Sequence, residues 1–103
     1  MRRDRELEKL KDNVAEAADF MSLLANDKRL LILCELLAAR EMSVGNLADA
    51  VGLSQSALSQ HLSKLRADGL VDTRRESQTI FYKLSSDERV IQTLSLLKKL
   101  FCR

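Results

Sequence analysis

Residues 43–68, SVGNLADAVGLSQSALSQHLSKLRAD, constrain this chain more than any other stretch. The spacing of their apolar side chains predicts two short helices. Val44, Leu47, Ala48 and Val51 recur at helical intervals in the first, and Ala57, Leu58, Leu62 and Leu65 in the second. Ser43 and Ser54 stand where N-caps are needed, each with a hydroxyl able to accept from an orphan backbone N–H. Gly52 supplies, between the helices, a residue that tolerates positive φ. Ala48, four residues earlier, keeps bulk out of the helix crossing. Together these features make a helix-turn-helix pattern. The outward face of the second helix carries Gln55, Ser56, Ser59, Gln60 and His61, with Ser54 ahead of them and Lys64 following as further candidate DNA contacts. Amides, hydroxyls and an imidazole in that arrangement suit hydrogen bonding to base edges in a DNA major groove. The same face also describes an ordinary solvated helix.

Length and charge narrow the alternatives. At 103 residues the chain is expected to be one domain, 1–103, and its 46% apolar content suffices for an ordinary core. Chains this short with several apolar helices often complete their burial by pairing. No signal peptide is visible in MRRDRELEKLKD, and the longest wholly apolar run, 30–34, is far too short to span a bilayer. The expectation is a cytoplasmic protein with no membrane partner. Residues 1–50 hold eight Lys/Arg against ten Asp/Glu, and residues 51–103 hold nine against five. The basic half contains the second helix of the motif and all that follows, the end a phosphate surface would favour.

Residues 5–25 read as one helix in which Leu7, Leu10, Val14, Ala17, Met21 and Leu24 alternate at threes and fours, a stripe that needs a partner surface. Asn26 or Asp27 can cap a helix over 27–39 that is apolar on most sides and so belongs at the centre of a small domain. Arg40-Glu41 ends it. Beyond the stop signal Asp68-Gly69, the β-type runs 70–75 and 79–84 flank Glu76-Ser77-Gln78 and predict a hairpin. A lone hairpin is marginal and must lean on the helices. Its Arg74 or Arg75 can reach phosphate or the minor groove, and Gln78 and Thr79 join them as candidate DNA contacts. The plainer alternative is that these charges protect an edge strand from aggregation. Ser86 or Asp87 caps a last helix, 87–101, striped by Val90, Ile91, Leu94, Leu97, Leu100 and Phe101. Helices 5–25 and 87–101 carry surplus apolar faces and are the expected homodimer interface. The expected fold class is mainly α with a β-hairpin wing: four helices, a hairpin and a closing helix.

That order, with LSQSALSQHLSKLRADGLVDTRRESQTIFYKL, resembles the ArsR family of bacterial winged-helix repressors. Three pieces carry the likeness: residues 25–30 at the opening of the second helix, residues 54–70 with Ser59-Gln60-His61-Leu62 as recognition helix, and residues 74–82 as wing. The resemblance spans nearly the whole chain. It implies a homodimer bound to double-stranded operator DNA of two-fold symmetry and released by an inducer.

Many members of that family sense metals through a cysteine cluster at the third helix or through Asp and His on the last. Here residues 43–51 lack cysteine, the last helix has Asp87 and Glu88 but no histidine, and the lone His61 lies on the recognition helix. One histidine and two distant cysteines do not furnish a closed zinc site within one subunit, so neither metal nor other cofactor is expected. Cys34 and Cys102, taken singly, are small hydrophobes that can pack inertly, and two thiols are no disulfide framework. Their placement nevertheless resembles the dithiol, SqrR/BigR-type branch of the family, which senses persulfides and oxidants. The matching residues are Ile32-Leu33-Cys34 and Phe101-Cys102. That resemblance implies that Cys34 and Cys102 join within one subunit, by a disulfide or short polysulfide, when reactive sulfur species or oxidants appear. Lys98, Lys99 and Arg103 favour a thiolate at Cys102, while the helix C-terminus opposes it. The rival readings are a repressor with no inducer site, one with a metal held across the dimer, and a helical protein–protein interaction module that does not bind DNA. Nothing near His61 supplies a third catalytic group or an oxyanion donor set, so no enzyme is expected.

Overall fold

The computed structural model describes residues 5–101. Along the chain run α1 (Arg5–Asp12), α2 (Val14–Leu24), α3 (Asp27–Ala39), β1 (Glu41–Ser43), α4 (Val44–Val51), α5 (Gln55–Ala67), β2 (Val71–Glu76), β3 (Thr79–Leu84) and α6 (Glu88–Phe101). This is the expected mainly helical fold with a β wing. No helix among the described residues is long and apolar enough to cross a membrane.

α3 occupies the centre because its apolar residues surround it. Ile32, Leu33 and Leu36 are fully enclosed, and the helix packs on α4, α6, β1 and β3. Asn26 starts it by accepting from Arg29 N at 3.1 Å, which satisfies one orphan N–H of the first turn. Leu47 of α4, Leu58, Leu62 and Leu65 of α5, and Val90 and Leu94 of α6 close the same core.

Two expectations need correction. The single helix over 5–25 is interrupted at Asn13. The Asn13 side-chain amide donates to Lys9 O at 3.0 Å, while its backbone N–H turns to Leu10 O at 3.0 Å. A short amide side chain has taken over the carbonyl that helix continuation would have used. The hairpin, moreover, is two strands of a three-stranded sheet in the order β1-β3-β2. β1 pairs antiparallel with β3, Met42 opposite Tyr82. The hairpin therefore leans on a strand as well as on helices. Its strands are shifted slightly from expectation: β2 runs to Glu76, and the turn is Ser77-Gln78, with Ser77 at φ 56°. A two-residue hairpin turn needs positive φ at its first position to match the strand twist.

Candidate DNA-reading surface and the groove beside Cys34

The helix-turn-helix is assembled by local chemistry. Ser43 Oγ accepts from Asn46 N at 3.3 Å and Ser54 Oγ from Ala57 N at 3.1 Å, so both hydroxyls cap helices. Gly52 adopts φ 70°, and its N–H reaches Ala48 O at 2.9 Å. That left-handed residue turns the chain from α4 into α5, and the buried Ala48 lets the two helices cross closely. Leu58, Leu62 and Leu65 are drawn into the core. This fixes the rotation of α5 and leaves Gln55, Ser56, Ser59, Gln60 and Lys64 exposed, whereas His61, one turn from both Leu58 and Leu65, is half-buried at the edge of the buried stripe and not on the outward face expected for it. Ser54 is also exposed, but its oxygen is engaged by the cap. Lys64 Nζ pairs with Asp68 at 3.2 Å.

The wing separates its two arginines. Neighbouring residues of a strand point to opposite faces of the sheet. Arg74 lies on the face shared with Phe81, its guanidinium 4.8 Å from the ring centroid. It bonds Glu41 and reaches Glu76 at 2.9 Å. Its charge is thus spent within the sheet, tying β2 across β3 to β1. The Arg74 hydrogen bonds hold the Glu41 carboxyl below its usual range. A lowered folded pKa means that this tie is complete at neutral pH and is lost as pH falls through that lowered value. Arg75, Gln78 and Thr79 are exposed around the turn. Replacing Arg75 with Ala is expected to weaken binding to any duplex and to flatten the slope of log K against log salt by about one. Arg74→Ala is expected to change that slope less, because two carboxylates already neutralise it. Salt titration by fluorescence anisotropy measures both.

Cys34 sits elsewhere, on the side of α3 that faces α6. Leu30, Cys34, Leu37 and Ala38 of α3, with Leu97, Lys98 and Phe101 of α6, line an open, almost wholly apolar groove of about 570 Å³. Cys34 is half-buried within it. Burial pushes its thiol pKa up, and the neighbouring Glu35 carboxylate adds to the rise. The thiol is therefore held protonated. Cys102, its expected partner, lies outside the described residues. Its neighbour Phe101 lines the groove. The groove residues around Cys34 were missed by sequence reasoning, although the spacing of Leu30, Cys34 and Leu37 and of Leu97 and Phe101 already puts each set on one helix face. Glu41 was missed as the partner of Arg74, since 33 residues separate them and no local pattern links them. Among the described residues, no group of three or more His, Cys, Asp or Glu is arranged to hold a metal ion.

A capped helix pair with an exposed polar reading face, flanked by a wing, defines a winged helix-turn-helix DNA-binding regulator of transcription. Residues 26–73 match the model for the bacterial regulatory protein, arsR family. The chain is 52% identical over 97 residues to the transcriptional activator HlyU of Vibrio cholerae, covering 94% of this chain and 88% of that one. It is 60% identical over 85 residues to the nodulation protein NolR of Rhizobium meliloti, covering 82% and 68% respectively. Among solved structures, reduced HlyU from Vibrio cholerae superposes with a TM-score of 0.83 at 50% identity, over 93% of this chain and 99% of that one. The transcriptional repressor BigR from Xylella fastidiosa gives 0.83 at 35% identity, over 93% and 96%. This chain belongs to the ArsR family of bacterial transcriptional regulators.

Proposed function

We propose that this chain is a homodimeric repressor that reads its operator with α5 and releases it when Cys34 and Cys102 become linked. Gln55, Ser56, Ser59 and Gln60 contact base edges. Lys64, Arg75, Gln78 and Thr79 contact the backbone or the minor groove. Arg74 holds the wing in place. The two subunits meet through their first and last helices and set two copies of α5 about one DNA turn, roughly 34–36 Å, apart.

The observation that carries the thiol switch is that Cys34 and Phe101 line one groove, and Cys102 is the residue after Phe101. One relative in this family is described in its reduced form, and another as a repressor. Both descriptions agree with the reading. The protonated Cys34 suits a resolving role. The Cys102 thiolate attacks a small disulfide and expels one thiolate. Cys34 then surrenders its proton, attacks the Cys102 sulfur and expels the second. Two protein thiols and one small disulfide become one protein disulfide and two small thiols. The link ties α6 to α3, shifts the dimer helices and spoils the half-site spacing.

Cys34→Ser is the test. Reduced, it is expected to bind operator within about twofold of the parent, whereas glutathione disulfide or polysulfide weakens the parent about tenfold or more and leaves the variant unchanged. Release of operator by the treated variant would refute the switch.

A further inference from the structure

We infer that Glu41 is a positioning residue for DNA recognition: through Arg74 it braces the wing against the strand that leads into the helix-turn-helix, and so sets the angle between the wing and α5. The inference rests on the reading of α5 and the wing as the DNA surface, and adds what holds the two in register.

β1 is the joint. Its last residue, Ser43, is also the N-cap of α4, so the strand and the helix pair move together. Its first residue, Glu41, receives the fork of Arg74 from the far strand of the sheet: Nη2 donates to Oε1, and Nε donates to Oε2 at 3.3 Å. β3 lies between them. With neighbouring strands about 4.8 Å apart, the contact bridges roughly 10 Å of sheet. Register puts the participants on one face. Arg74 and Ser43 both stand opposite Phe81, and Asp72 and Glu41 both stand opposite Lys83. Phe81 is the floor on which the guanidinium lies.

The pair is suited to direction more than to strength. The Arg74 side chain is 42% exposed and that of Glu41 33%, and pairs so accessible to water add little to global stability. A planar guanidinium that meets a carboxylate at two points nevertheless fixes orientation as a point charge does not. The chain also bends sharply to deliver Glu41. Arg40, just before it, has φ 73° and ψ −53°, a conformation that is costly for a residue with a side chain and persists only where the surroundings impose it. Pairing of β1 with β3 and the bond to Arg74 impose it here.

A wing and a reading helix that engage one duplex together must keep a fixed angle, and residues behind the contact surface hold it. Binding to random DNA depends on phosphate charge and tolerates misalignment. Glu41 is an anion, so charge alone makes its removal favourable to binding on every duplex. The brace makes its removal harmful on operator only.

The test measures operator and random-duplex affinity of the reduced full-length protein by fluorescence anisotropy, with thermal unfolding alongside. Glu41→Gln keeps the shape and removes the charge that the fork grips. It is expected to bind operator about threefold to tenfold more weakly, and random duplex as well as the parent or better, at a melting temperature within a few degrees of the parent. Arg74→Lys keeps the net charge but cannot fork, and is expected to lose operator preference to a similar extent; it decides alone if Glu41→Gln does not fold. Unchanged operator preference in either folded variant overturns the inference. So does a loss of preference that comes only with a melting temperature lowered by more than a few degrees, because that marks a merely structural tie. Gln60→Ala, run in parallel, separates the two readings. If Gln60→Ala loses preference and Glu41→Gln keeps it, the brace alone is discarded; if neither loses it, the reading face is discarded as well.

Discussion

Leu62→Ala is expected to lower the stability of the fold by about 3 kcal/mol and its melting temperature by about 12–20 °C at fixed protein concentration. Leu62 is 0% exposed and lies on the inner side of α5 among Leu58, Leu65 and the other residues of the shared core. Truncation removes buried methyl groups and leaves a cavity that close-packed neighbours fill only in part. The loss is a large share of the roughly 5–15 kcal/mol that holds a domain together. The same leucine fixes the rotation of α5, so DNA affinity is expected to fall alongside stability. Thermal unfolding by circular dichroism measures the first and anisotropy the second. A shift of only a few degrees would mean that the side chain is not enclosed as described.

Gln60→Ala should separate operator from random DNA. Gln60 is exposed on α5 and carries an amide that can bond an adenine edge in two places. Losing it is expected to cost about 1–3 kcal/mol on operator, roughly fivefold to 150-fold in affinity, with little change on random duplex. Ser56→Ala is expected to act in the same direction with a smaller effect. Losses of equal size on both DNAs would make these residues general surface contacts and would move sequence reading elsewhere. Because neither side chain contributes to the core, unfolding temperatures are expected to stay close to those of the parent.

Arg75 and Cys34 probe different layers. Arg75→Ala tests attraction to phosphate, which any duplex supplies. Cys34→Ser tests coupling between a groove and a reading face on another part of the molecule. A protein that loses one property and keeps the other supports the division of labour drawn from the geometry.

Much of this was legible in local patterns. Ser43, Gly52 and Ser54 mark the ends of α4 and α5 because capping and left-handed turns depend on side chains next to the backbone they satisfy. The apolar spacing of residues 27–39 announced a central helix, and α3 spans Asp27–Ala39. The polar face of α5 followed from the same periodicity, since burying Leu58, Leu62 and Leu65 leaves only one side for Gln60 and Ser56. Other features left no trace in the apolar periodicity. The break at Asn13 depends on one amide competing for one carbonyl. β1 spans Glu41–Ser43, too short for a period to be read, and exists because β3 offers it an edge.

What the chain's own order of residues determined was most of its helices, the caps of α3, α4 and α5, and the polar outward face of α5, because each depends on interactions a few residues apart. Only the tertiary structure decided which arginine of the wing stays available. Glu41, distant in sequence, lies within reach of Arg74 once β1 and β2 flank β3. The tertiary structure likewise made the groove beside Cys34, for an apolar cleft between α3 and α6 belongs to neither helix alone. Local periodicity says which face of a helix seeks cover, and packing in three dimensions determines what remains uncovered.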